Sequence, residues 1–135
     1  MKVVLDTNVL VSGLLNPHGS PGRIVDAVLE GRVRPLFDDR VLGEYREVLA
    51  RPKFAFDSED VGHFLDYLEA TGEPVVAVPL DVSLPDPDDV PFLEVASAGR
   101  ASLITGNRDH FKPVRGSHDV RVLPPDAFLK ELKQR

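Results

Sequence analysis

The apolar run Val3-Val4-Leu5 stops abruptly at Asp6, and the same juxtaposition of a short apolar run with an acid recurs along the chain. Residues 2–5, 33–37, 74–78, 102–105 and 120–123 read as strands, separated by helical stretches or longer turns. Strands spaced this way cannot pair through tight hairpins. They run mostly parallel, with the helices covering the sheet faces. The pattern predicts an α/β fold with a largely parallel sheet of about five strands, and 135 residues suit one domain over 1–135.

Local signals place the helices. One is expected over 8–15, ended by Asn16-Pro17, and a second opens at Ser20-Pro21 and runs to near Gly31. Asp38 or Asp39 caps a third, to about Ala50, which Arg51-Pro52 breaks. Ser58 caps a fourth, to about Gly72. Further helices are expected over 87–99 and 124–134, with a loop holding one helical turn at 106–116.

Ligands of an open α/β sheet bind outside the carboxyl ends of its strands. Asp6 follows the first strand, and Asp38 and Asp39 the second. Asp81 follows the third, with Asp86, Asp88 and Asp89 a little beyond, and Asn107 and Asp109 follow the fourth. In the third helix Val41, Leu42, Tyr45, Val48 and Leu49 form the apolar stripe. Glu44 lies at its edge and Glu47 on the far side. Glu44 either pairs with Arg40, one turn earlier, or holds a cation.

In VSLPDPDDVPFLEVA, Asp86 and Pro87 suit a helix start, and Phe92, Leu93 and Ala96 lie three, four and seven residues beyond Asp89. Asp89 therefore projects from the face that packs on the sheet. Capping and the helix dipole alone would select Asp-Pro-Asp-Asp. They do not account for Asp6, Glu44 and the 107–109 turn at the same end of the sheet. Asp6 itself has a capping role open to it, shared with Thr7 and Asn8. Acids converging in a half-buried cleft repel, and a divalent cation is the simplest remedy.

The chain has no cysteine, so any metal must be held by oxygens or by its four histidines. Oxygen donors suit Mg²⁺ or Mn²⁺. His110 and His118 lack metal-site spacing, and His18 and His63 read as surface residues. The net charge of −6 argues against a broad nucleic-acid surface, although two dications would bring it to −2. Arg108, Lys112 and Arg115, with His110 and His118, surround the last acidic turn. Arg51 and Lys53 stand beside Phe54 and Phe56. These groups suit phosphate contact and base stacking, or else solvated charge and core packing. No apolar run approaches the ~20 residues of a membrane span, and residues 1–10 lack a signal-peptide cleavage site, so a cytoplasmic location without membrane contact is expected.

LDTNVLVSG, LGEYREVL, DPDDVPFLEVA and LITGNRDHF, in this order, resemble the PIN domain, and more narrowly the VapC-like PIN toxins of toxin–antitoxin systems. The resemblance covers essentially the whole chain. It implies a three-layer α/β/α sandwich around a mainly parallel sheet. It also implies a metal-dependent ribonuclease that leaves 5′-phosphate and 3′-hydroxyl ends. Asp6, Glu44 and Asp89 would be its catalytic acids and hold one or two Mg²⁺ or Mn²⁺ ions, with Asn107 or Asp109 completing the set. Thr7, Asn8, Asp86 and Thr105 would support them, while Arg108, Lys112 and Arg115 meet RNA. Where the family often has Asp two residues after the Thr, this chain has Asn107. An antitoxin and a homodimer are the implied protein partners, the fourth helix offering Phe64, Leu65, Tyr67 and Leu68 as an interface. Two alternatives stand beside this reading. One is a non-catalytic PIN-like binding module. The other is a Mg²⁺-dependent phosphatase of another α/β type, which would want a second Asp near Asp6 and a late Lys, where this chain has Thr7-Asn8 and Asn107-Arg108.

Overall fold

A strand with apolar side chains on both faces belongs in the middle of a covered parallel sheet. In the computed structural model, which describes residues 1–114 and 118–134, β1 (Lys2–Leu5) occupies that place, with Val3, Val4 and Leu5 buried. The other strands are β2 (Arg34–Phe37), β3 (Glu73–Pro74), β4 (Ser102–Ile104) and β5 (Val122–Leu123). All pairings are parallel, in the order β3-β2-β1-β4-β5. The helices are α1 (Thr7–Leu15), α2 (Ser20–Leu29), α3 (Asp39–Leu49), α4 (Ser58–Thr71), α5 (Val90–Gly99) and α6 (Pro125–Lys133). They flank the sheet as expected of an α/β/α fold. α5 lies across β1, β2 and β4, α3 and α4 meet β2, and α2 packs between α1 and α6. No helix among the described residues is long and apolar enough to cross a membrane.

The chain builds outward from β1 to β2 and β3, then returns to place β4 on the other side of β1. That reversal makes a topological switch, so the crevice for a ligand lies at the carboxyl ends of β1 and β4.

Several boundaries differ from expectation for local reasons. The third strand, expected over 74–78, pairs only at Glu73–Pro74, followed by one further bond from the Val75 N–H to the Phe37 carbonyl (2.8 Å). Pro74 and Pro79 bring no N–H to this edge, and Val76, 94% exposed, packs against nothing. α4 is capped by Asp57, not Ser58: its carboxylate accepts from the Glu59 and Asp60 N–H groups. Gly19 occupies the cap position of α2, with Ser20-Pro21 as its first two residues. The helix expected over 87–99 opens as a 3₁₀ turn, Pro87–Asp89, before α5 begins. The turn expected within 106–116 is also 3₁₀, Arg108–Val114. On α4, Leu65 and Leu68 are buried in the core and are not available as an interface, while Phe64 and Tyr67 are partly buried against it. Arg115, expected to meet RNA, lies outside the described residues.

Candidate functional site

Where β1 leaves the sheet, Asp6 is only 4% exposed. One of its carboxylate oxygens caps α1 by accepting from the Thr7 N–H (2.8 Å). The other accepts from the Thr105 hydroxyl (2.8 Å) and the Asn8 amide (3.3 Å). The capping role foreseen for Asp6 is therefore real, and it engages one oxygen of the two. Asn8 also accepts from the Gly106 N–H (3.0 Å), so it bridges the ends of β1 and β4. Thr105 accepts in turn from the Asn107 N–H (3.0 Å).

Glu44 is half-buried at the margin of α3, as the helical spacing indicated, and accepts from the Thr7 hydroxyl. Arg40, the ion-pair partner considered for it, reaches instead to Glu94 (2.7 Å) and Asp38 (2.9 Å). Beside it, the Tyr45 hydroxyl donates to the Leu5 carbonyl and pins α3 to the last residue of β1.

Asp89, 7% exposed, stands at the junction of the 3₁₀ turn and α5, while Phe92, Leu93 and Ala96 are buried beneath the helix. Asp86 caps the turn through the Asp88 N–H (2.9 Å). Asp89 meets the ring Nδ1 of His110 at 3.1 Å. Among the described residues, no Arg or Lys pairs with Asp6, Glu44 or Asp89.

The three carboxylates act on one another electrostatically. Burial raises the Asp6 carboxyl from 3.8 to about 6, against the lowering effect of the Thr105 hydrogen bond, and the charge of Asp89 adds to the rise. Burial also raises Glu44, opposed by the Thr7 bond and helped by the charges of Asp6, Asp88 and Asp86. Asp89 is raised by burial, then by Asp86, with His110 opposing and Glu44 adding. Glu94 behaves differently. It is 6% exposed, yet Arg40 and the Leu80 N–H (2.8 Å) satisfy it, and no Lys or Arg among the described residues does the same for the three acids. Its bond to Leu80 secures the segment that leads to Asp86 and Asp89.

Sequence reasoning missed Glu94 and undervalued His110. Glu94 had a signal: it sits between Phe92-Leu93 and Val95-Ala96, all buried, so no solvent face was open to it. The His110 contact is tertiary and left no trace in spacing. Of the remaining candidates, Asn107 is exposed and touches the site through its backbone. The Asp109 side chain is 85% exposed and faces Lys112 at 3.5 Å. Arg108 is exposed, and Arg51 is engaged by Glu47 (2.8 Å). Phe54 and Phe56 stack on each other with centroids 5.6 Å apart, and Lys53 lies over the Phe54 ring. Among the described residues no three acid or imidazole groups are already gathered around one point. The donors on offer are hard oxygens, whose chemistry fits Mg²⁺ or Mn²⁺.

Residues 2–109 match the family model described as PIN domain. An uncharacterized protein of Methanocaldococcus jannaschii is 28% identical over 145 residues, an alignment covering 99% of this chain and 93% of that relative. The crystal structure of VapBC2 from Rickettsia felis, bound to a DNA fragment from their promoter, contains a chain that superposes with a TM-score of 0.58. The match covers 92% of this chain and 98% of that one at 15% identity, a likeness of fold.

Proposed function

The chain belongs to the PIN-domain family, and from that premise we propose that it is a divalent-metal-dependent endoribonuclease, the toxin of a toxin–antitoxin pair. The observation that carries this reading is that Asp6, Glu44 and Asp89 lie near enough to feel one another's charge, each raised by burial and none paired with Arg or Lys among the described residues. Acids this close and this far out of water, with no Arg or Lys partner among the described residues, are costly and call for a cation.

In this reading Asp6, Glu44 and Asp89 hold one or two Mg²⁺ or Mn²⁺ ions. Asn107, tied to Thr105 through its N–H, is favoured over the outward-facing Asp109 to complete the set. When bound, such an ion supplies Lewis acidity toward the scissile phosphate and makes water acidic enough to react near neutral pH. Thr105, Thr7 and Asn8 fix the carboxylates in orientation, so little reorganisation is needed when charge develops on phosphorus. Burial of Asp6 keeps bulk water from that carboxylate. Water forms a bond to phosphorus while the bond to the 3′ oxygen breaks, leaving a 5′-phosphate and a 3′-hydroxyl. Arg108 and Lys112 are exposed beside the crevice and suit phosphate contact. An antitoxin, by analogy with the VapBC2 complex, and a second copy of the chain, seated on the partly buried Phe56, Val61 and Phe64 that line a cavity beside α4, complete the proposal.

The test is cleavage of a panel of structured and single-stranded RNAs with Mg²⁺ or Mn²⁺, wild type beside Asp6→Asn. Cutting that needs the ion and vanishes in the variant supports the reading. Cutting that persists in EDTA or in the variant overturns it. Binding of Mn²⁺ without cutting favours the non-catalytic module.

A further inference from the structure

Asp89 differs from the other two acids in how it is held. Asp6 has three donors, from the Thr7 N–H, the Asn8 amide and the Thr105 hydroxyl, and Glu44 has the Thr7 hydroxyl. For the Asp89 side chain, the described residues offer one partner, Nδ1 of His110 at 3.1 Å. Its other charged neighbours, Asp86 and Glu44, push against it. The Asp89 side chain is 10% exposed and that of His110 42%, so the bond closes over the buried acid from the solvent side.

The ring is well anchored for this. His110 lies in the 3₁₀ turn Arg108–Val114, with its N–H bonded to the Asn107 carbonyl (3.1 Å). The next residue, Phe111, is buried in the core at 1% exposure, and Val114 is buried too. The turn therefore cannot slide without unpacking Phe111. The bond also links the turn that carries Asn107 to the start of α5.

We propose that His110 is a positioning residue, its Nδ1 donating to one oxygen of Asp89 and leaving the other oxygen free to meet a cation. The inference rests on the metal-site reading given above. An ionised carboxylate can only accept, so Nδ1 carries the hydrogen. Loss of a partner that orients a metal-binding group typically weakens metal affinity by about 10–100-fold. A surface latch would make the same contact but would not distinguish substitutions by where they place a donor.

The experiment measures Mn²⁺ affinity of the intact chain by titration calorimetry, for wild type, His110→Asn and His110→Leu, with circular dichroism as the check on folding. The amide nitrogen of Asn stands where Nδ1 stands, and Leu fills similar space without a donor. Affinity near wild type in H110N, with H110L weaker by about 10–100-fold, is the expected result. Wild-type affinity in H110L overturns the proposal, as does equal loss in both variants. If H110L does not fold, His110→Gln, whose donor reaches past Asp89, takes its place with the same expectations. A wild-type chain that binds no Mn²⁺ refutes the metal-site reading itself, and this proposal with it.

Discussion

Asp6→Asn is expected to make the protein more stable in EDTA at the same time as it abolishes cleavage. Burial raises the Asp6 carboxyl from 3.8 to about 6, which corresponds to about 3 kcal/mol. Between those two values the folded chain binds more protons than the unfolded one. Stability therefore falls as pH rises through the window, and the full penalty is present above about pH 6. The amide variant has no proton to lose and escapes it. The variant has its own cost. Its NH₂ replaces one acceptor oxygen, and while Thr105 can turn its hydroxyl to accept, the Asn8 amide cannot, a loss of about 1 kcal/mol. The net gain is about 1–2 kcal/mol at pH 8. Urea denaturation in EDTA reads this directly, and the gap between variant and wild type should narrow as pH is lowered from 8 toward 4. Mn²⁺ at about 100 times its dissociation constant adds about 2.7 kcal/mol to wild type alone and reverses the order. A variant less stable than wild type at pH 8 in EDTA would refute the argument, because burial of the charge would then carry no penalty.

Arg40→Ala strands the buried Glu94, and because the arginine is half exposed the expected loss is about 2 kcal/mol, measured by urea denaturation. Gly43→Ala, in the middle of α3 with open space around it, should stabilise by about 0.5–1 kcal/mol. Gly72→Ala should cost about 1–3 kcal/mol, since its Cβ would stand 2.5 Å from the Pro35 carbonyl oxygen and 2.7 Å from that of Leu68; thermal melts of the two glycine variants should move in opposite directions.

Elements whose apolar pattern serves their own packing were readable from the chain alone. β1 and α3 obey one-dimensional rules, and so does the inward aim of Asp89, which follows from the register of Phe92, Leu93 and Ala96. β3 was overread because Val75-Val76-Ala77-Val78 is an apolar run like that of a buried strand, but Val76 and Val78 face solvent and the flanking prolines deny the run donors. Which cation serves which acid was not readable. Arg40 is one helical turn from Glu44 and still turns to Glu94, fifty-four positions away, because Glu94 is the more deeply buried and gains more from neutralisation. Asp109 illustrates the same limit. Its place beside Asn107 suggested a ligand, while the 3₁₀ turn rotates its side chain toward Lys112 and gives the inward position to His110.

The hydrogen bond from Thr105 to Asp6 joins residues 99 apart in the chain, and it lies at the seam where β4 docks against β1. Contacts of such separation are slow to form, since the intervening chain must be ordered before they stabilise anything. A chain that has made β1, β2 and α3 but not β4 has Asp6 without the Thr105 hydroxyl that orients it, while the Thr7 hydroxyl still holds Glu44. If the proposed cleavage depends on this bond, a fragment ending before Thr105 is expected to show none, however well its first helices form.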